Sequence, residues 1–251
     1  MMLRGDIIEL LRKVYDIERL TGKIAYGNAN ARDMISLRNS LSNLPELKQV
    51  FSMTTSSLLK DLHQRLDVLS DIHKLIDDAI VEEPPISVKE GGIIKPGFNE
   101  EIDSYRNAST EGKNWIIALE AKEKELTGIK NLKVGYTRVF GYYIEITKSF
   151  LNQVPDRYVR KQTLTGGERF ITEELKEIEN KILGSEEKVI NLEYEEFTKI
   201  RNEIARNIER LQTTANSIAN VDVLTSLAVV ADNNNYVYPE VDDGDILENK
   251  H

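Results

Sequence analysis

Residues 130–169 read KNLKVGYTRVFGYYIEITKSFLNQVPDRYVRKQTLTGGER, the one stretch of this chain that alternates like β-strands. Long helical sequence flanks it on both sides, which limits the chain to a mainly α fold with a small β insertion. Strands are expected over Leu132–Thr137, Tyr142–Thr147, Tyr158–Leu164 and Glu168–Thr172. Arg138–Gly141 and Thr165-Gly166-Gly167 supply tight turns, each with a glycine for positive φ. If the connector Lys148–Arg157 stays at the base of the sheet, strands one and three both run outward. The two tight turns then share one distal tip.

The same stretch is a basic island. Lys130, Lys133, Arg138, Lys148, Arg157, Arg160, Lys161 and Arg169 face only Glu145, Asp156 and Glu168, a net charge of +5. The whole chain carries −9, so the remainder carries −14. A charged hairpin is ordinarily a solvated surface, and edge strands carry Lys and Arg against aggregation. The contrast with the acidic remainder favours a local site for an anionic partner such as a nucleic-acid backbone, where cations neutralise phosphates and release counterions. Tyr136, Phe140, Tyr142, Tyr143, Tyr158 and Phe170 are expected to pack a thin sheet rather than stack on bases.

Helical periodicity organises the rest. An apolar stripe runs from Ile7 to Leu20, and Gly22, Gly27 and Asn28 end it. Asn30 is placed to cap a helix through Leu41, and Pro45 fits the first turn of a third. A longer helix is expected from Ser56 or Ser57 to Ile80, stopped by Pro84-Pro85. Ile86–Gly97 reads as an extended connector with turns at Gly91-Gly92 and Pro96-Gly97. Asn99 caps the next helix and Gly128 closes it. After the island a single apolar seam, from Leu175 to Ile218, predicts a long arm that Gly184-Ser185 would bend. A last apolar stretch, Val221–Val230, precedes a polar tail, VDDGDILENKH.

Several kinds of chemistry are missing. The chain has no cysteine, hence no disulfide or thiolate metal site. There is no G-x-x-x-x-G-K-[ST] phosphate loop. His63 and His73 lie too far apart on one expected helix to share a metal, and no nucleophile–base constellation can be built. Glu173-Glu174, Glu186-Glu187 and Glu195-Glu196 read as solvated helix carboxylates. No apolar run approaches the roughly 20 residues that span a bilayer, and the amino terminus is no secretory segment. A cytoplasmic protein that is not itself an enzyme, with no membrane and no small-molecule substrate, is expected.

Long segments carry a family resemblance. GIKNLKVGYTRVFGYYIEITK, RYVRKQTLTGGERFITEELKEIENKIL and NVDVLTSLAVVADNNNYVYPEV closely resemble the clamp and core regions of the bacterial MutS family of DNA mismatch-repair proteins. IERLTGKIAYGNANARDMISLRNSL and GGIIKPGFNEEIDSYRN resemble the same family's core, in collinear order. The resemblance implies a helical core and long lever helices carrying a small, mostly antiparallel β clamp. It divides the chain into a core and lever part at 1–112, a clamp at 113–172 with its β tip at 130–172, and a returning lever and core part at 173–251.

The family's parent protein is implied to be a homodimeric ATPase that encircles double-stranded DNA and meets a MutL-type partner. ATP and Mg would belong to its ATPase domain, and no cofactor is expected in this chain. No Walker sequence occurs, and a fragment without the mismatch-reading and ATPase domains is expected. The family's clamp touches DNA backbone at its tip. Carried onto this sequence, that implies contacts from Thr137 and Arg138 in one turn and from Arg160, Lys161, Thr165 and Gly166 at the other, with Lys133 and Arg169 beside them. Many relatives have Asn-Ala-Glu-Arg where this chain has Gly166-Gly167-Glu168-Arg169. The Asn side-chain contact is thus lost, while the Gly amide still offers a donor. Two alternatives stay open: a structural coiled-coil arm that binds protein, and a MutS-like paralogue acting in recombination.

Overall fold

In a computed structural model, which describes residues 2–52, 54, 56–238 and 243, the chain is mainly helical with one four-stranded sheet. The tail beyond residue 238 otherwise lies outside the described residues. Two compact units are present. The first comprises residues 1–29, 33–76 and 202–251, the second residues 30–32 and 77–201.

The first unit holds α1 (Met2–Leu11), α2 (Ile17–Ala25), α3 (Ala31–Leu41), α4 (Leu44–Ser52), α5 (Ser57–Arg65), the start of α6 (Ser70–Ala79) and α9 (Ile208–Asn233). Leu20, Ile24, Met34, Leu37, Leu41, Leu44, Leu47 and Phe51 are fully buried in it. Three long stripes of the sequence turn out to be broken. Asp16 interrupts the first by capping α2, its carboxylate accepting the Arg19 N–H at 2.9 Å. The stripe after Ser56 divides into α5 and α6 at Leu66–Leu69, where Leu69 takes φ 52° and its N–H bonds the Asp67 carboxylate. His63 and His73 therefore sit on different helices.

The long seam divides in the same way, into α8 (Glu173–Ala205) and α9, at Arg206-Asn207 and not at Gly184-Ser185. Apolar spacing runs on across each break, so the sequence pattern alone does not mark it. Arg210 pins the start of α9 by pairing with Asp67 at 2.8 Å and Asp71 at 2.7 Å. By length and composition α9 is apolar enough to cross a membrane, contrary to the expectation from uninterrupted apolar runs, because Thr, Ser and Asn are interleaved along it.

The second unit is built on α7 (Glu100–Thr127) and most of α8. Asn99 caps α7 by accepting the N–H groups of Glu101 and Ile102, at 3.0 and 3.2 Å. Gly128 ends it at φ 71°, a left-handed conformation that costs glycine little. The connector is fastened by a buried carboxylate. Glu193 accepts the Ile93 N–H at 2.9 Å and pairs with Arg106, which also donates to the Ile94 carbonyl at 2.7 Å.

Four strands follow α7: β1 (Lys133–Thr137), β2 (Gly141–Thr147), β3 (Val159–Thr163) and β4 (Gly167–Ile171). One face of this sheet carries Ile144, Ile146 and Phe170, which bury themselves against Ile116 and Leu119 of α7 and Leu175 and Ile182 of α8. Tyr158 joins the same core and sends its hydroxyl to Glu123 of α7 at 2.6 Å. Arg157 grips both oxygens of that carboxylate, at 2.7 and 2.6 Å.

Two predictions follow from this core. Phe170 sits at its centre, so Phe170→Ala should cost about 3–5 kcal/mol, read from the urea midpoint at constant slope. Burial alone pushes the Glu123 carboxyl up, but hydrogen bonds from Arg157 and Tyr158 outweigh it and hold the group below its ordinary 4.5. A depressed carboxylate gives stability that is present above the unfolded value and lost as pH falls through the folded one. The difference in Tm between the natural chain and Glu123→Gln should therefore shrink as pH drops below about 4.5; a pH-independent difference would contradict the assignment.

Candidate nucleic-acid interface

The strand order β1-β2-β4-β3 decides how the basic island is arranged. All three pairings are antiparallel, with Thr137 opposite Gly141, Ile144 opposite Phe170, and Thr147 opposite Gly167. The β1–β2 turn therefore lies at the start of β2 and the β3–β4 turn beside its end. The two turns occupy opposite ends of the sheet, which corrects the expectation of a single shared tip. The cause is the connector: residues 148–158 carry the chain back along the sheet before β3 begins, so β2 and β3 run in the same direction.

At one end, the β3–β4 turn brings Thr165 and Gly166 into the open. The Lys148 N–H donates to the Gly166 carbonyl at 3.1 Å, and Asn131 Nδ2 donates to Thr147 Oγ1 at 2.6 Å. Those bonds, with Lys133 paired opposite Glu145, gather Lys130, Lys133 and Lys148 around that turn. This end lies beside residues 128–132, which follow α7. At the other end, Thr137 and Arg138 sit in the β1–β2 turn, which folds back on α8. There Glu179 accepts the Tyr142 N–H at 3.0 Å. Beside Arg138, Val139 is 83% exposed and Phe140 47%.

The eight island cations divide by what they touch. Arg157 belongs to Glu123. Arg169 pairs with Glu145 at 2.9 Å, donates to Gln162 at 3.0 Å and lies 4.0 Å from the centre of the Tyr143 ring. Arg160 reaches Glu168 at 3.3 Å but stays largely exposed. Lys130, Lys133, Arg138, Lys148 and Lys161 are exposed, and among the described residues no ion pair engages any of them. Lys161 stands at the irregularity in β3, an edge strand. Of the residues singled out in the sequence, the structure thus gathers Lys133, Thr165 and Gly166, places Arg160 and Lys161 along one edge, and sets Thr137 and Arg138 apart. Arg169 is engaged within the sheet.

Lys130 and Lys148 belong to the basic island but not to the site that the sequence predicts. Their signal was position: one precedes β1 and the other follows β2, so any pairing of the end of β2 with the start of β4 brings them to the same turn. Among the aromatics, Tyr158 and Phe170 pack the core as expected, with ring centres 5.9 Å apart. Tyr136 is half exposed against Tyr142, their centres 4.9 Å apart.

Residues 97–188, which contain α7, the whole sheet and the first half of α8, match the model of MutS family domain IV. The chain is 55% identical over 249 residues to the DNA mismatch repair protein MutS of Acetivibrio thermocellus, covering 99% of this chain and 29% of that protein. It is 55% identical over 251 residues to MutS of Caldanaerobacter subterraneus subsp. tengcongensis, covering 99% and 29%. With MutS of Clostridium botulinum it shares 55% over 240 residues, covering 95% and 26%. The chain spans little more than a quarter of the length of these relatives. Along its whole length it corresponds to a segment of the MutS family of DNA mismatch repair proteins, with family domain IV at residues 97–188.

Proposed function

We propose that this chain grips the backbone of double-stranded DNA, without reading its sequence, through the end of the sheet formed by Lys130, Lys133, Lys148 and the β3–β4 turn. The observation that carries the reading is the gathering of unpaired cations there. Three lysines that no ion pair engages among the described residues lie around an exposed Thr165-Gly166 turn in a chain of net charge −9. Lysine ammonium groups act on phosphate as point charges, and an exposed hydroxyl and backbone amide add donors without sequence preference. Arg160 and Lys161 extend the cationic edge along β3.

The helices α7 and α8 act as the arms that carry the sheet, in a role of binding and force transmission rather than catalysis. In the longer relatives ATP and Mg would act through other domains, and a homodimer and a MutL-type partner would complete the assembly. A second reading is favoured at the opposite end, where Arg138 stands beside exposed Val139 and Phe140. Apolar side chains add nothing to phosphate binding, and that turn suits a protein surface.

Each phosphate contact adds about 0.9 to the slope of log affinity against log salt. Three contacts give a slope of about 2.7, which is about forty-fold between 50 and 200 mM salt. Replacing Lys130, Lys133 and Lys148 with Ala should remove most of that slope and weaken all duplexes alike, measured by fluorescence anisotropy. Arg138→Glu should leave duplex affinity within about two-fold. Loss of binding in Arg138→Glu with the triple variant unaffected would move the site to the other end.

A further inference from the structure

Three glutamates fasten the sheet to the two helices beneath it. On α7, Glu120 Oε2 accepts the Val134 N–H at 2.8 Å, occupying an amide of β1, which as an edge strand has no second neighbour. Three residues later Glu123 takes Arg157 and Tyr158, immediately before β3. On α8, Glu179 Oε1 accepts the Tyr142 N–H at 3.0 Å while Oε2 pairs with Lys176. Gly141 sits at φ 75° against that carboxylate, and a Cβ there would occupy the position of Oε1. Glu123 and Glu179 are buried, and Glu120 is 29% exposed.

The fastenings are spread over the sheet. Two hold the β1–β2 hairpin on one edge, and the third holds the approach to β3 on the other. Two points would leave a hinge axis, whereas three points off one line leave none. Detaching Glu123 or Glu179 strands a carboxylate in a poorly solvated place, which is costly when the partner is lost. Apolar packing between sheet and helices is non-directional and would tolerate small rocking. Hydrogen bonds weaken steeply with angle, so they do not.

We propose that Glu120, Glu123 and Glu179 are positioning residues that make the sheet one rigid body with α7 and α8, so that any movement of the arms is delivered undiminished to the cationic end. The rigidity stands on the contacts themselves, and only its use rests on the DNA-binding reading.

The chain has no cysteine, so Glu111→Cys and Thr165→Cys give two clean spin-label sites, one on α7 and one in the β3–β4 turn. Electron–electron distance measurements without DNA should give one narrow distribution. With Glu120→Ala and Glu179→Ala added, it should broaden at least two-fold while the circular dichroism stays unchanged. Glu179→Gln, which keeps an acceptor for the Tyr142 N–H, should restore most of the narrowing when it replaces Glu179→Ala. A narrow distribution in the double Ala variant would overturn the proposal, even with a lowered Tm, since that outcome means the groups only add stability. Should the double variant not fold, amide exchange in the unsubstituted chain decides. Val134 and Tyr142 should exchange within ten-fold of the amides joining β2 to β4, and any faster exchange would overturn it. Because no DNA is present, failure here leaves the phosphate-binding reading standing, and the reverse also holds.

Discussion

The antiparallel pairing of β2 with β4 is the constraint on which the rest of the second unit depends. It sets Thr147 opposite Gly167 and so puts the β3–β4 turn beside Lys148 and near Lys130 and Lys133. The same pairing turns Ile144 and Phe170 to one face, where they meet the apolar residues of α7 and α8. A shift of one residue would reverse both faces, because side chains alternate with a period of two. Core and cationic end are therefore fixed together. What buries the sheet on its helices also decides which basic residues share an end.

The charges of the island divide between structure and solvent by their neighbours. Arg157 completes a buried carboxylate, and Arg169 is held by Glu145, Gln162 and the Tyr143 ring. Guanidinium suits such places, since its planar fork makes several directed bonds and stacks on aromatic faces. Lys130, Lys133 and Lys148 stay in water, where a compact ammonium can meet any phosphate that approaches. The helices beneath contribute mostly carboxylates, several of them used inward: Glu120, Glu123, Glu179 and Glu193 all accept backbone or side-chain donors. Duplex DNA should thus find attraction at the sheet end and little along the arms.

Much of this was legible in the sequence, and the omissions have physical causes. Asn99 and Gly128 mark the ends of α7 because capping is a local matter of one side chain and one left-handed residue. The four strands were visible in the alternation of residues 133–171. The breaks at Asp16, Leu69 and Asn207 were hidden, because the apolar spacing of each helix continues in phase into the next. Strand order was hidden for a different reason. Turn chemistry specifies each hairpin but says nothing of whether β2 pairs with β3 or β4, which depends on contacts far apart in the chain. That one omission produced a single shared tip, grouped Arg138 with Thr165, and left Lys130 and Lys148 unassigned.

The most direct measurement of the central claim, that one end of the sheet meets phosphate and the other does not, is a titration of the isotope-labelled chain with a short duplex of arbitrary sequence, followed by amide chemical shifts at low salt. Residues 130–133, 147–149 and 164–167 should shift together, lose the effect as salt is raised, and respond equally to a second unrelated duplex. Shifts confined to residues 137–141, or spread along α7 and α8, would contradict the account.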